Sequence, residues 1–365
     1  MQSQYNAAPL NGLCPGHDIS TMAGNNIHVT QAEMESRLVR YGDLVPCTTA
    51  FIDTRTPGSK RKENFTIIGP GVSENPEQHV HISIPHGFNI GAARQPPACV
   101  NSQHSHGTAE VFVVHSGRWR FLTGYEGKGP SIVLHPGDTI SIPTQVFRGF
   151  ENVGDDIGFL FAVLGGDDPG RVTWAPYVFQ SAERYGLVLL ENGRLIDTSR
   201  ESVPPGAKRM PVTSVSDAVA YRQLNIKEIE DCVVPASSLK PAGGLSVIPG
   251  FEECPIAGPA NPAENMPAGK LGWPHHFQLR ALRIAPNARS PVNTRVEEEV
   301  LMVHEGYLGI EWSNGSLVLA AGDTLTVPKK LQRCYFNPDS KPSVTYLVRG
   351  GDHPHPASWS AQEPG

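Results

Sequence analysis

The chain has 365 residues, 37 of them glycine and 33 proline, with 18% charged side chains and a net charge of −6. That much Gly and Pro argues against long helices, and apolar residues at 39% are too many for a disordered scaffold, which disfavours an all-α bundle, a coiled coil or an unstructured chain. With 30 basic against 36 acidic side chains and no extended basic stripe, there is no electrostatic footprint for nucleic acid or for an anionic membrane surface.

In chain order, the opening residues MQSQYNAAPLNGLCPG lack the charged and continuous apolar parts of a signal peptide. No later run approaches 18 apolar residues, so no transmembrane helix is expected. Thr30 followed by good helix formers to Leu38 predicts a short capped helix. Short strands are predicted at Glu110–Val114, Ser131–Leu134, Thr139–Ile142 and Phe159–Leu164, with turns at Gly117, Pro136-Gly137 and Pro143. Tyr177 to Tyr185 and Leu224 to Asp231 are further helix candidates, and 234–272 reads as a Pro/Gly-rich arm. The cysteines Cys14, Cys47, Cys99, Cys232, Cys254 and Cys334 show no CxxC spacing, so reduced thiols in a cytoplasmic protein are expected.

The chain repeats itself. Residues 85–117 align without a gap to 274–306 at an offset of 189, with 11 of 33 positions identical, among them His86/His275, Glu110/Glu299 and His115/His304. Residues 137–152 align to 322–337 at an offset of 185, and Gly165-Gly166-Asp167 matches Gly350-Gly351-Asp352. Fainter echoes pair Val45-Pro46 with Val234-Pro235 and the segment at 67–71 with 247–251. Regular short strands with turn signals, twice over, predict an all-β chain of two barrels with short peripheral helices, divided at 1–200 and 201–365.

Chemistry concentrates in the first copy. His104 and His106 are two apart, so on a strand both face one side, and Glu110 shares their parity. Two imidazoles and a carboxylate converging inside a barrel suit one divalent transition metal; a polar barrel mouth without metal is the alternative. The second copy has Asn293, Arg295 and Glu299 at these places and is expected to be degenerate. His86 is a candidate ligand or proton relay, or else an inter-strand hydrogen-bonding group. His115, at a strand end, is expected to face solvent.

His104-x-His106-x-x-x-Glu110, six residues and Gly117 resembles the first motif of the cupin superfamily. Gly137, Pro143, Arg148 and Asn152 resemble its second motif, and 293–337 carries the weaker counterpart of both. The resemblance implies a bicupin with two jelly-roll barrels, the metal site in motif 104–152, and packing as a homo-oligomer. It also implies a metal-dependent dioxygenase of the gentisate or quercetinase kind, using O2 and a small aromatic or enolisable organic acid. Fe(II) is the favoured metal, with Mn, Ni, Zn or Cu as substitutes. Arg148 stands where the pattern has a third histidine ligand, and arginine cannot ligate a cation. It either clamps a substrate carboxylate, which makes it a candidate catalytic residue beside His86, or pairs with Glu110. A metal-dependent lyase, decarboxylase or isomerase, and a non-enzymatic metabolite-binding bicupin, are the alternative functions.

Overall fold

The computed structural model describes residues 27–359. The N-terminal arm carries α1 (Gln31–Glu35) and β1 (Leu38–Val39). The first repeat follows with β2 (Glu63–Ile68), β3 (Val80–Ile82), β4 (Phe88–Gln95), β5 (Val100–Ser105), β6 (Glu110–Ser116), β7 (Trp119–Thr123), β8 (Ser131–Leu134), β9 (Thr139–Ile140), β10 (Arg148–Asn152), β11 (Gly158–Gly165) and β12 (Thr173–Trp174). An excursion holds α2 (Pro176–Arg184), the hairpin β13 (Leu187–Leu189) and β14 (Leu195–Asp197), and α3 (Val215–Ala220). A second arm has α4 (Ile226–Asp231) and β15 (Val233–Val234). The second repeat comprises β16 (Phe251–Ala257), β17 (Phe277–Ile284), β18 (Asn293–Thr294), β19 (Glu299–Glu305), β20 (Tyr307–Trp312), β21 (Gly315–Ala320), β22 (Thr324–Val327), β23 (Arg333–Phe336), β24 (Ser343–Gly350) and β25 (Ser358–Trp359).

Each repeat closes two facing sheets into a jelly-roll barrel. In the first, the order β15-β9-β6-β11-β4-β2-β3 faces β12-β5-β10-β7-β8; in the second, β1-β22-β19-β24-β17-β16 faces β21-β20-β23-β18-β25. The arms are exchanged: β1 pairs with β22 of the second barrel, and β15 pairs with β9 of the first. Each arm opens with a helix held by a capping box, Thr30 with Glu33 and Asn225 with Glu228, so the repeat reaches upstream of the motifs. This corrects the fainter echoes. Val233-Val234 answers Leu38-Val39, not Val45-Pro46, and β2 answers β16, with Glu63 opposite Arg94 as Glu252 is opposite Arg283. Across the division at residue 200, each half contributes one arm strand to the other's barrel.

The two large sheets pack outer face to outer face. Val111, Val113, Phe161 and Val163 meet a common core with Leu279, Ala281, Val300, Met302 and Val348. Sheets covered on both faces need apolar side chains at every position, which is why Phe159 to Leu164 is a continuous run. The repeated histidines fasten this seam. His86 Nε2 meets Thr326 Oγ1 of the other barrel at 2.5 Å, and His275 Nε2 meets Ser141 Oγ at 2.9 Å. The repeated Gly-Gly-Asp segments belong to the same device. Asp167 accepts from the amides of His86 and Gly87, Asp352 from those of His275 and His276, and a Cβ on Gly165 or Gly350 would collide with the carbonyl oxygen of His275 or His86.

His115 does not face solvent. Its ring lies 5.5 Å from that of His304, and Phe159 and Phe161 stand edge-on to it at 5.8 and 5.7 Å. Burial, helped by His304, pushes its pKa down to about 4. The folded chain therefore refuses a proton that the unfolded chain accepts near pH 6.5. Stability is fully present above that pH and is lost as pH falls from 6.5 towards 4. In urea unfolding across that range, His115→Gln is expected to flatten the acid slope while changing stability at pH 8 less.

Candidate metal centre

The centre forms where the two sheets of the first barrel face each other. His104 lies on β5 and His106 directly after it; Glu110 opens β6 in the opposite sheet. Each of the three offers a ligand atom, and these atoms all lie within 4.8 Å of one another. All three side chains are buried. Trp174 on β12 pairs with His104 in register and covers its ring at 5.4 Å between centroids.

The protonation pattern suits a cation. His104 Nδ1 lies 2.8 Å from the Ser102 carbonyl oxygen, so that nitrogen carries the proton and Nε2 keeps its lone pair for the site. Burial, then His106 and Arg148, push its pKa down to about 3. Burial and Arg148 hold His106 well below the ordinary histidine value as well. Both imidazoles are therefore neutral near pH 7, the form a metal needs. The Nδ1 of His106 is buried without a partner among the described residues. Two neutral imidazoles and a carboxylate with one oxygen to spare fit a divalent transition ion.

Arg148 takes the second of its two sequence readings. It sits opposite His104 on β10, is 1% exposed, and donates from Nη2 to Glu110 Oε2 at 2.7 Å. Arg333 repeats the contact in the second barrel, reaching Glu299 at 2.9 Å. His86 is not brought to this site: it lies in the seam between the barrels and does not line the cavity.

The cavity beside the ligands opens to solvent, and the empty space in it and at its mouth amounts to about 670 Å³. Phe51, Phe112, Phe150, Leu160, Leu164 and Val172 make it mainly apolar, and among the described residues no arginine or lysine lines it. Behind His104 lies a buried support that no motif announced. Asp53 accepts from the Ser102 amide at 3.0 Å and pairs with Lys62; Lys62 donates to Asn101 at 2.8 Å. Glu74 accepts from the Trp174 indole at 2.6 Å and the Ile52 amide at 2.7 Å, and burial pushes its carboxyl up to about 8. These residues come from an irregular segment with no counterpart in the repeat, so spacing held no signal for them.

The second barrel has the same framework with another interior. Gly91, Leu164, Asn64 and His106 of the first correspond by offset to Arg280, Arg349, Glu253 and Arg295. These join Glu264, Glu299 and Arg333 in a buried network: Arg349 and Arg280 reach Glu253 at 2.7 and 2.8 Å, and Arg295 reaches Glu264 at 2.6 Å. Burial alone would raise the Glu253 carboxyl, but Arg349, Arg280 and Arg295 outweigh it and hold it at about 2. Among the described residues the second barrel shows no metal-ligating cluster.

Fold and site thus define a two-barrel β protein with a His-His-Glu centre in one barrel. Residues 93–164, in the first barrel, match the Cupin domain family (Cupin_2), and the two barrels together have the bicupin fold. No curated protein matches it in sequence. Among solved structures it is similar to a mutant of oxalate decarboxylase from Bacillus subtilis, at 13% identity and a TM-score of 0.53, over 92% of this chain and 81% of that one. The formate complex of oxalate decarboxylase from Lactobacillus farciminis matches at 12% identity and a TM-score of 0.51, over 88% of both chains. A further Bacillus subtilis oxalate decarboxylase structure, titled for its Mn(II) centres, matches at 13% identity and a TM-score of 0.52, over 92% of this chain and 81% of that one. At these identities the likeness is one of fold. No helix among the described residues is long and apolar enough to cross a membrane.

Proposed function

We propose that the first barrel is a metal-dependent enzyme site for a small organic acid with a largely apolar body, working as a lyase, decarboxylase or isomerase. The observation that carries this is the Arg148–Glu110 pair inside the ligand set. With both histidines neutral, the positive Arg148 cancels the negative Glu110, so the protein shell contributes no net charge. His104, His106 and Glu110 would hold a divalent ion without cancelling its charge, and the ion would supply Lewis-acid polarisation of a substrate oxygen. Arg148 fixes the Glu110 carboxylate and adds a positive charge behind it, which favours anions in the cavity. The apolar walls exclude water and strengthen both effects. The oxalate decarboxylase neighbours support this reaction class, and the Mn(II) centres of the Bacillus subtilis enzyme put Mn(II) beside Fe(II) as the metal to try.

A dioxygenase is the second reading, favoured by the two-histidine, one-carboxylate donor set. The test is to load the protein with Mn(II) or Fe(II) and follow CO2 and O2 over a panel of aryl and keto acids. CO2 release or isomerisation without O2 uptake supports the lyase reading; O2 uptake matched to product supports the dioxygenase. Stoichiometric binding with neither would mark a metabolite-binding protein. We further infer a cytoplasmic setting from five described cysteines, all buried and without CxxC spacing, and a homo-oligomer from the bicupin resemblance.

Arg148→His is expected to raise metal affinity about tenfold or more, since it removes a cation from beside Glu110 and puts a neutral donor opposite His104. Calorimetric titration with Mn(II) measures it; unchanged affinity would separate Arg148 from the ligand set.

A further inference from the structure

We propose that the cavity carries a second recognition element, the side-chain amides of Asn64 and Gln78, which binds a hydroxyl group on the end of the substrate remote from the metal ligands. This rests on the cavity being a substrate site. Asn64 and Thr66 share one face of β2, and both line the cavity. Asn64 is 7% exposed, and its Nδ2 is buried with no hydrogen-bond partner among the described residues. Gln78 donates from Nε2 to Thr66 Oγ1 at 2.6 Å, which leaves its Oε1 buried and unpaired on the same wall. An unpaired buried polar atom destabilises the fold unless a ligand or water meets it. One of these atoms is a donor and the other an acceptor, and a hydroxyl group answers both.

The placement sets the ligand's length. Glu110 on β6 and Asn64 on β2 are separated by β11 and β4 in one sheet. Three strand spacings amount to about 14 Å. Gly91, Ala93 and Ala162 on the intervening strands leave the room between them. The class that fits has a carboxylate at one end, an aromatic or alicyclic body and a hydroxyl at the other end. In the second barrel the place of Asn64 is taken by Glu253, already bonded to Arg280 and Arg349, so the element is particular to the first.

The test uses phenylpropanoate and its para-hydroxy derivative, which differ only in the distal hydroxyl. Each is titrated into metal-free and Mn(II)-loaded full-length protein by calorimetry. The wild-type protein is expected to bind the hydroxy probe about tenfold tighter or more. Asn64→Leu and Gln78→Leu should each bring the ratio of the two affinities towards one while metal stoichiometry is retained. Equal affinities in the wild type would mean that water serves both amides and would overturn the proposal. So would a preference that survives both substitutions, or failure of both probes to bind protein that holds its metal. If the protein takes up no metal, the metal reading fails separately, and the hydroxyl preference is still expected in the metal-free titration.

Discussion

Replacing Glu299 by alanine is expected to destabilise the protein by about 3–5 kcal/mol, although the residue belongs to the barrel without a metal centre. Glu299 is fully buried and meets Arg349 Nε at 2.5 Å, Arg333 Nη2 at 2.9 Å, Arg295 Nε at 3.3 Å and the Tyr335 hydroxyl. Burial alone would raise its pKa, but Arg349, Arg295 and Arg333 outweigh that and hold it well below the carboxylate range. Without Glu299, among the described residues Arg333 has no carboxylate partner and Arg349 keeps only its contacts to Glu253 and Glu264, both inside the protein. Desolvation of those charges is then uncompensated, which is why breaking a buried network costs far more than losing a surface pair. Urea unfolding followed by tryptophan fluorescence measures the loss. Metal stoichiometry should be unchanged, and a change below 1 kcal/mol would show that the arginines find other partners or water.

His104→Ala is expected to abolish stoichiometric metal binding and, with it, turnover. Removing a supporting hydrogen bond behind a metal ligand already weakens affinity by about 10–100-fold, and losing a ligand outright must exceed that. The remaining pair, His106 and Glu110, shares its carboxylate with Arg148, so no spare protein donor compensates. Elemental analysis after loading with excess Mn(II) and desalting is the measurement. Full metal content in the variant would place the ion elsewhere. Because His104 leans on Trp174 and the Asp53–Lys62 support, the variant's fold should be checked by near-ultraviolet circular dichroism.

What the sequence made legible follows from periodicity. Two histidines at a spacing of two, and a glutamate of the same parity, had to converge once β5 and β6 belonged to facing sheets. The duplication was readable because turn glycines and the His86/His275 positions are held by close backbone approach at the seam. His86 itself was open to misreading, since a histidine buried against the other barrel and one aimed into a site look alike in sequence. Arg148 could not be assigned either, because a clamp for substrate and a partner for Glu110 need the same residue at the same place. Asn64 left a faint signal, as Asn64 and Thr66 put polar groups with period two between the apolar Phe65 and Ile67. Asp53, Lys62 and Glu74 left none, for their contacts are made by irregular backbone.

The exchanged arms bear on how the chain is made. Leu38 finds its partner only when Leu325 has been synthesised, and β9, paired with β6 on one side, lacks its outer neighbour until Val233 follows. During translation the first barrel must wait with an open strand edge and a bare outer sheet face, both surfaces on which unfinished chains associate. The last event of folding is then a mutual latching of the two halves, and contacts so distant in sequence form slowly. Maturation of this protein should therefore depend on chaperone supply and growth temperature more than the stability of the finished molecule suggests.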